Sequence, residues 1–112
     1  MKLVIIESPY APDGMYETCE HVEYARLCVA DSLARGEAPL ASHLLYTQPG
    51  ILDDLIADER AKGIAAGLAW YRHADACVVY EDHGISHGMS QGVKRARSLN
   101  VPIEFRSIRS GQ

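Results

Sequence analysis

Side chains with acid, base and hydroxyl chemistry crowd one short segment of the chain, between an apolar run and the start of a helical pattern. They are Glu81, Asp82, His83, Ser86, His87, Ser90 and Gln91. The apolar run before them, Cys77 to Tyr80, has the β-branched content of a buried strand, and Gly84, Gly88 and Gly92 punctuate the polar segment. A loop that ends at a helix N-terminus favours anionic groups, because backbone N–H groups and the helix dipole point at it. The segment predicts a loop that binds a phosphate or nucleoside, with an ordinary strand-to-helix turn as an equal alternative.

The size and charge of the chain limit the classes of partner. Its 112 residues suit one domain, 1–112, with a single sheet, and a cleft shared with a second subunit is plausible. The formal net charge of −4 and the pI near 5.7 argue against nucleic acid as a partner, because nucleic-acid-binding surfaces are basic. Basic residues cluster only near the C-terminus, and we interpret them as a solvated helix face and tail: Lys94, Arg95, Arg97, Arg106 and Arg109.

The cysteines and the hydropathy pattern predict a cytoplasmic protein. Cys19, Cys28 and Cys77 are odd in number, and two of them fall on apolar positions, as reduced core residues do. No stretch approaches the roughly twenty apolar residues that cross a bilayer, so no membrane partner is expected. The apolar run at the N-terminus is too short for a signal peptide and is better explained as a first strand.

Strands and helices alternate along the sequence. Strands are predicted at residues 3–7, 40–45, 77–80 and 103–108, and helices from 15 or 16 to 35, from 60 to 73, and from the glycine loop to about 99. This order predicts an α/β fold, a three-layer parallel sheet of about four or five strands with helices on both faces. Because parallel strands end at one edge, the loops 7–13, 43–54 and 81–89 are expected to converge there and hold the ligand.

Three histidines fall on that predicted edge, which raises the question of a metal site. His43, His83 and His87 are irregularly spaced, and the sequence contains neither HExxH nor CxxC. We therefore predict no metal and no other cofactor, and interpret the three imidazoles as hydrogen-bond donors to a ligand.

Three segments carry a resemblance to a known family. They are SPYA after the first strand, GLAWYRHADACVVYED at 67–82, and GMSQGVKRA at 88–96. Together they resemble the nucleoside 2-deoxyribosyltransferase superfamily with its small, often phage-encoded relatives, over nearly the whole chain. The resemblance implies a Rossmann/flavodoxin-like fold, a nucleoside or nucleotide ligand, and a homodimer or higher even oligomer in which a neighbouring subunit completes each pocket.

The last of these segments departs from the family at its most important position. The enzymes have a nucleophilic glutamate between the two glycines, where this chain has Ser90. Cleavage of an N-glycosidic bond develops positive charge on the sugar, which a carboxylate stabilises or captures and a neutral hydroxyl does not. Asp82 or Glu81 is the expected replacement, unless these two merely cap the loop. Ser90 itself is more simply a helix cap or a phosphate contact.

The resemblance also suggests ligand contacts elsewhere on the predicted edge. Tyr10 resembles an aromatic residue that lines the sugar pocket, and Ser8 is a candidate phosphate contact, although either suits a turn. Asp53 and Asp54 resemble acidic positions that reach the base or sugar, although acids beside a helix start also compensate its dipole. The candidate catalytic residues are Asp82, Glu81 and Ser90. The candidate ligand-binding residues are Ser8, Tyr10, His43, Asp53, Asp54, His83, Ser86, His87, Gly88 and Met89.

Two functional classes are consistent with these residues. One is an enzyme that transfers deoxyribose or hydrolyses an N-glycosidic bond, with Asp82 or Glu81 as its carboxylate. The other is a binder that sequesters a nucleotide or a nucleotide-derived signal without turnover, which the serine at position 90 favours. A structural module without a ligand is the third option, and the polar side chains of the glycine loop argue against it.

Overall fold

The computed structural model describes residues 1–108. Its elements, in chain order, are β1 (Leu3–Glu7), α1 (Thr18–Ala34), β2 (Ala38–Leu40), α2 (Ser42–Leu45), α3 (Ala57–Ala69), a 3₁₀ turn (Trp70–His73), β3 (Ala76–Tyr80), α4 (His87–Ser98) and β4 (Ile103–Arg106). The four strands form one sheet in the order β2-β1-β3-β4, and every pair is parallel. The predicted α/β fold with a parallel sheet is therefore confirmed.

Helices cover both faces of the sheet because the strand side chains alternate. Val4 and Ile6 of β1 pack with Tyr24 and Cys28 of α1 on one face. On the other face Ile5, Cys77 and Val79 pack with the 3₁₀ turn and with Met89 and Val93 of α4. The chain runs from β1 outward to β2 and then returns to β3 on the other side of β1. The switch point that parallel sheets use for ligands thus lies between the carboxyl ends of β1 and β3.

The predicted strand at 40–45 is wrong in its bounds. β2 covers only Ala38–Leu40, and residues 42–45 form the short helix α2. β2 is an edge strand, which tolerates Pro39 without a backbone N–H, and it starts just after Gly36 at φ +83°. A short apolar run does not separate a strand from a buried helical turn by periodicity alone, and Leu44 reaches the α1-side core from α2.

Helix starts also differ from the predicted ones. α1 begins at Thr18 rather than at 15 or 16, because the Asp13 carboxylate accepts hydrogen bonds from the backbone N–H groups of Met15 and Tyr16 and holds them in a turn. α3 begins at Ala57, three residues before the predicted start, and the 3₁₀ turn completes the predicted helix to His73. β4 ends at Arg106 rather than at 108.

Arg106 does not belong to a solvated basic cluster. Its side chain is buried, with Nη1 2.8 Å from Glu37 Oε1 and Nη2 2.6 Å from Glu37 Oε2. Tyr80 joins them, since its hydroxyl accepts a third hydrogen bond from Arg106. The sequence pattern missed this pair because Glu37 lies 69 positions away. Arg109 lies outside the described residues.

Two further expectations concern reduced cysteines and the lack of a membrane-spanning segment. Cys19, Cys28 and Cys77 are all free, and the latter two are buried. Across residues 1–108, no helix has both the length and the apolar character needed to cross a bilayer.

Candidate functional site

A cavity of about 370 Å³ opens at the carboxyl ends of β1 and β3, the predicted ligand edge. Its size falls within the range of small-molecule pockets. Its polar lining comes from Glu7, Ser8, Tyr10, Asp13, Ser42, His43, Tyr46, Thr47, Asp54, Glu59, Arg60, Tyr71, Ser86, His87 and Gln91. Glycines and apolar side chains complete the wall, among them Leu52, Ile64, Leu68, Met89, Gly63, Gly67, Gly88 and Gly92. Loops after β1 and β2 and the start of α4 therefore converge at this cavity.

Glu7, the last residue of β1, places a carboxyl group in this cavity. It lies on the same face of the strand as Ile5, beneath α4, and the Tyr71 hydroxyl donates a hydrogen bond to it. Within residues 1–108, no salt bridge involves Glu7. Burial without a cation raises the pKa of Glu7 to about 8, so the group is largely protonated at neutral pH.

Gly92 explains how α4 approaches the Glu7 carboxyl. A Cβ atom at this position would overlap Glu7 Oε2 and lie 2.5 Å from the Tyr71 hydroxyl. Gly88, one turn earlier, meets nothing nearer than Ser86 Oγ at 3.9 Å. The second glycine of the GMSQG segment is thus required by a close packing contact with the carboxyl.

Ser8 and His43 form a second polar pair on the cavity wall. The Ser8 hydroxyl oxygen lies 2.6 Å from His43 Nε2, and Ser8 is only 4% exposed. The pair joins the residue after β1 to the first turn of α2. Desolvation lowers the pKa of His43 to about 4, so its imidazole is neutral at physiological pH.

The start of α4 supplies the remaining predicted contacts. The Ser86 hydroxyl caps the helix by accepting a hydrogen bond from the Met89 backbone N–H at 3.2 Å. His87 and Gly88 come next on the cavity wall. The residues of 1–108 that line the cavity include Met89 and Gln91 but not Ser90, whose hydroxyl lies 3.3 Å from the Ser86 carbonyl oxygen.

Asp82 and Glu81 lie elsewhere. Asp82 accepts hydrogen bonds from the Tyr24 hydroxyl at 2.7 Å, the Ser107 hydroxyl at 2.6 Å and the Ile108 backbone N–H at 3.0 Å. Tyr24 belongs to α1, so this carboxylate is on the opposite face of the sheet from Glu7. Glu81 is exposed to solvent. Asp82 thus ties α1 to the segment after β4, away from the cavity.

His83 is inserted between two aromatic rings on that same α1 face. Its ring stacks on Tyr16 at 3.8 Å between centroids and on Tyr24 at 4.0 Å, with interplanar angles of 4° and 10°. Its Nδ1 lies 3.0 Å from Nδ1 of the buried His21, whose Nε2 lies 3.2 Å from Asp13. These contacts lock the glycine loop against α1.

The cavity thus brings together eight of the predicted site residues and leaves five apart. Those on the cavity are Ser8, Tyr10, His43, Asp54, Ser86, His87, Gly88 and Met89. Those elsewhere are Asp53, Glu81, Asp82, His83 and Ser90; Asp53 accepts a hydrogen bond from the Leu55 backbone N–H at 3.0 Å. Among residues 1–108, no group of three His, Cys, Asp or Glu side chains is arranged to hold a metal ion.

Sequence reasoning missed Glu7 and Tyr71. Glu7 is predicted as the end of a strand and the start of the edge loop 7–13 but not as a site residue, although a carboxyl at the end of an apolar strand points to the ligand edge of a parallel sheet. The alternation of Ile5 and Glu7 also indicates the face that carries it. Tyr71 gave no such signal, because its 64-residue separation from Glu7 is closed only by the fold.

A domain family of unknown function, DUF7768, matches residues 2–106. The chain belongs to the DUF7768 family. The fold of this DUF7768 domain is similar to that of a solved 2-deoxyribosyltransferase from the psychrotolerant bacterium Bacillus psychrosaccharolyticus, with a TM-score of 0.63 and 16% sequence identity. The match covers 94% of this chain and 72% of that one. No curated protein matches the sequence at a significant level.

That enzyme is described as a biocatalyst for the synthesis of antiviral and antitumoral nucleosides. At 16% identity the likeness demonstrates a shared fold and nothing finer. The fold relationship expected from the SPYA, GLAWYRHADACVVYED and GMSQGVKRA segments is confirmed. The chemistry of this DUF7768 domain has to be argued from its own cavity.

Proposed function

We propose that this DUF7768 protein binds a nucleoside or nucleotide in the cavity and cleaves its N-glycosidic bond, with Glu7 as the reacting carboxyl. The observation that carries the proposal is the position of Glu7. Its carboxyl is at the switch point of the sheet, held by Tyr71 and accessible from a cavity of about 370 Å³. That volume is in the range of pockets that bind small molecules.

The chemistry of the bond supports a carboxyl at this place. Departure of a base leaves positive charge on the sugar, and a carboxyl group can stabilise that charge, capture the sugar or protonate the leaving base. Glu7 supplies such a group from β1, whereas α4 has Ser90 where the resemblance to the nucleoside 2-deoxyribosyltransferases implies a glutamate. The similarity of fold to a 2-deoxyribosyltransferase favours a nucleoside as the ligand class.

The same cavity also suits a binder without turnover. The carboxyl of Glu7 is largely protonated near neutral pH, because its pKa is about 8, and in that form it donates a hydrogen bond to a ligand. Such a protein sequesters a nucleotide or a nucleotide-derived signal. Binding of an intact ligand separates this function from catalysis.

Thermal unfolding against nucleosides and their mono-, di- and triphosphates, with cyclic and NAD-like nucleotides, tests the binding. Each stabilising ligand is then incubated with the protein and analysed by chromatography for free base. We expect base release by the wild type and its loss in Glu7→Gln, while Glu23→Gln, which changes an exposed carboxylate of α1, keeps the wild-type rate. A ligand recovered intact favours the binder, and no stabilisation by any ligand contradicts both functions.

Assembly and location are part of the proposal. Trp70 is 47% exposed, and its indole N–H donates to the hydroxyl of Tyr46 on the cavity wall. Ile64 of α3 and Ile56, the residue just before α3, are also exposed. A homodimer or higher even oligomer that buries this surface covers the cavity mouth. Free Cys28 and Cys77 suit a cytoplasmic protein. Sedimentation of the wild type against Trp70→Ser measures the assembly.

A further inference from the structure

Two consecutive residues at the end of β1, Glu7 and Ser8, present reactive groups to the cavity, and each is hydrogen-bonded to a different element. Glu7 points beneath α4, where Tyr71 donates to it. Ser8 points to α2, with its hydroxyl oxygen 2.6 Å from His43 Nε2. All four side chains line the same cavity. A carboxyl group and a hydroxyl–imidazole pair therefore both face the space in which a ligand would bind.

We propose that Glu7 and the Ser8–His43 pair are the acid and base of a hydrolysis, with water rather than Glu7 as the group that attacks the sugar. This inference rests on the proposed function and defines its chemistry. Glu7 is assigned as the acid that protonates the departing base. His43 is assigned as the base that accepts the water proton through the Ser8 hydroxyl.

The electrostatics of the two groups support this division. Burial holds the Glu7 carboxyl in its acid form at neutral pH, since its pKa is about 8. Desolvation holds His43 in its neutral form, since its pKa is about 4. Titratable groups whose environments shift their pKa values apart are the usual mark of an acid and a base in one site. A protonated carboxyl is, by contrast, a poor nucleophile.

Other ionisable groups on the cavity wall enter the pH dependence. They are Asp13, Asp54, Glu59, Arg60 and His87. Three tyrosines, Tyr10, Tyr46 and Tyr71, also line it. The Asp13 carboxylate accepts a hydrogen bond from the Tyr16 backbone N–H at 2.8 Å. The Glu59 carboxylate accepts one from the Asp53 backbone N–H at 2.9 Å. Tyr71 is the hydrogen-bond donor to Glu7, so the acid and its partner are fixed before a ligand binds.

The atoms and charges of the proposed reaction balance with water as the only co-reactant. The water oxygen forms a bond to the anomeric carbon as the bond from that carbon to the base nitrogen breaks. The bonding pair stays on the nitrogen, which takes the Glu7 proton. The water proton passes to Ser8 as the Ser8 proton passes to Nε2 of His43, in the tautomer that carries its proton on Nδ1. Solvent then returns the proton from imidazolium to Glu7, and free sugar and free base leave.

A leaving group that needs no proton tests the role of Glu7. The probes are guanosine and 2′-deoxyguanosine with their 5′-monophosphates, each compared with its N7-methyl cation after subtraction of the uncatalysed rate. In Glu7→Gln we expect base release from the unmethylated probes to fall by about 10²-fold or more, and release from the cations to stay within about tenfold of the wild type. Equal loss on both kinds of probe makes Glu7 a nucleophile and overturns the inference.

The pH dependence of kcat/KM tests His43 and Ser8. The pH profile of the wild type is expected to be bell-shaped. Its acidic limb should lie near the His43 pKa of about 4 and its alkaline limb near the Glu7 pKa of about 8. His43→Gln is expected to lose the acidic limb and about 10²-fold in rate on both kinds of probe. Ser8→Ala is expected to shift that limb and lower kcat more than it raises KM. His73→Gln, which changes an exposed imidazole, is the matched control.

The outcomes separate the inference from the function beneath it. Base release by the wild type tests the proposed function, and its absence with every probe overturns both. If the wild type is active and His43→Gln keeps both its rate and the acidic limb of its pH profile, only the acid–base pair is overturned. Urea unfolding of each variant identifies any that fails to fold. In that case His43→Asn, a smaller neutral replacement, repeats the test.

Discussion

The Tyr71 hydroxyl donates a hydrogen bond to the Glu7 carboxyl, between residues 64 positions apart in the chain. Tyr71 is 1% exposed and belongs to the 3₁₀ turn before β3, while Glu7 ends the neighbouring strand β1. The contact fixes a carboxyl group at the switch point of the sheet. A buried acid without a cation costs stability, and proteins keep such groups mainly where they bind or react.

Glu7→Gln is expected to stabilise the protein at alkaline pH. The folded pKa of about 8 exceeds the ordinary value of 4.5, so the folded state retains a proton that the unfolded state loses. The Glu7 contribution to stability therefore falls as pH rises from 4.5 to 8 and is constant above 8. Glutamine avoids this loss. We expect the Tm of the variant to exceed that of the wild type by roughly 15 °C at pH 8.5 and the two to be nearly equal at pH 4.5. A pH-independent difference contradicts the assignment.

Gly92→Ala is expected to displace the Glu7 carboxyl. The new methyl group would overlap Glu7 Oε2 and crowd the Tyr71 hydroxyl, and overpacking of this kind costs about 2 kcal/mol in the free energy of unfolding. Gly88→Ala, on the same helix with 3.9 Å to its nearest neighbour, is the matched control and is expected to leave that free energy unchanged or to raise it by up to about 1 kcal/mol. Urea unfolding measures both, and equal effects would refute the contact.

Asp82→Ala is expected to weaken the fold without weakening ligand binding. The substitution removes the carboxylate that accepts hydrogen bonds from the Tyr24 and Ser107 hydroxyls and the Ile108 N–H, at a cost of about 2 kcal/mol. Asp82 does not line the cavity, so the Tm shift produced by a ligand should match that of the wild type. Loss of the ligand-induced Tm shift in a folded variant would show that Asp82 takes part in ligand binding.

The pair Glu37–Arg106 is expected to govern stability in acid. The Arg106 guanidinium lowers the pKa of Glu37 to about 2 from an ordinary value of 4.5. A lowered folded pKa gives stability that is fully present above pH 4.5 and is lost as pH falls toward 2. Glu37→Gln should cost about 3 kcal/mol at pH 7, because it leaves a buried guanidinium short of its partner.

Glu104→Gln serves as the comparison for that variant. Glu104 also pairs with Arg106, but its side chain is 46% exposed, so its loss should cost less than about 1 kcal/mol. Chemical unfolding at pH 7 and pH 3 measures the two variants. Equal losses would show that burial does not distinguish the two carboxylates.

The strands and the ligand edge were predictable because their signals are local. The apolar runs at 3–7 and 77–80 carry strand composition, and Gly36 marks the end of the first helix within two residues. Strand–helix alternation then requires a parallel sheet, whose carboxyl ends share one edge. From these features the sequence predicted that Ser8, His43 and His87 would meet.

Several acids fall on the predicted edge, and the tertiary structure decided that Glu7 lies in the cavity while Asp82 and Glu81 do not. Asp82 and Glu81 have the composition and position of site residues, but Asp82 turns to Tyr24 on the α1 face and Glu81 to solvent. Glu7 reaches the cavity because it shares the face of Ile5. The prediction of a strand at 40–45 was wrong because packing against the core decides whether a short apolar run is strand or helix.

The sequence by itself determined the element order, the parallel sheet and the edge on which a ligand site can form, because periodicity and turn residues act over a few positions. The tertiary structure decided which side chains meet there. Tyr71 with Glu7, Glu37 with Arg106 and Gly92 against the Glu7 carboxyl are contacts between distant segments. Their partners are chosen by the packing of helices on a sheet, and no local pattern of residues encodes that choice.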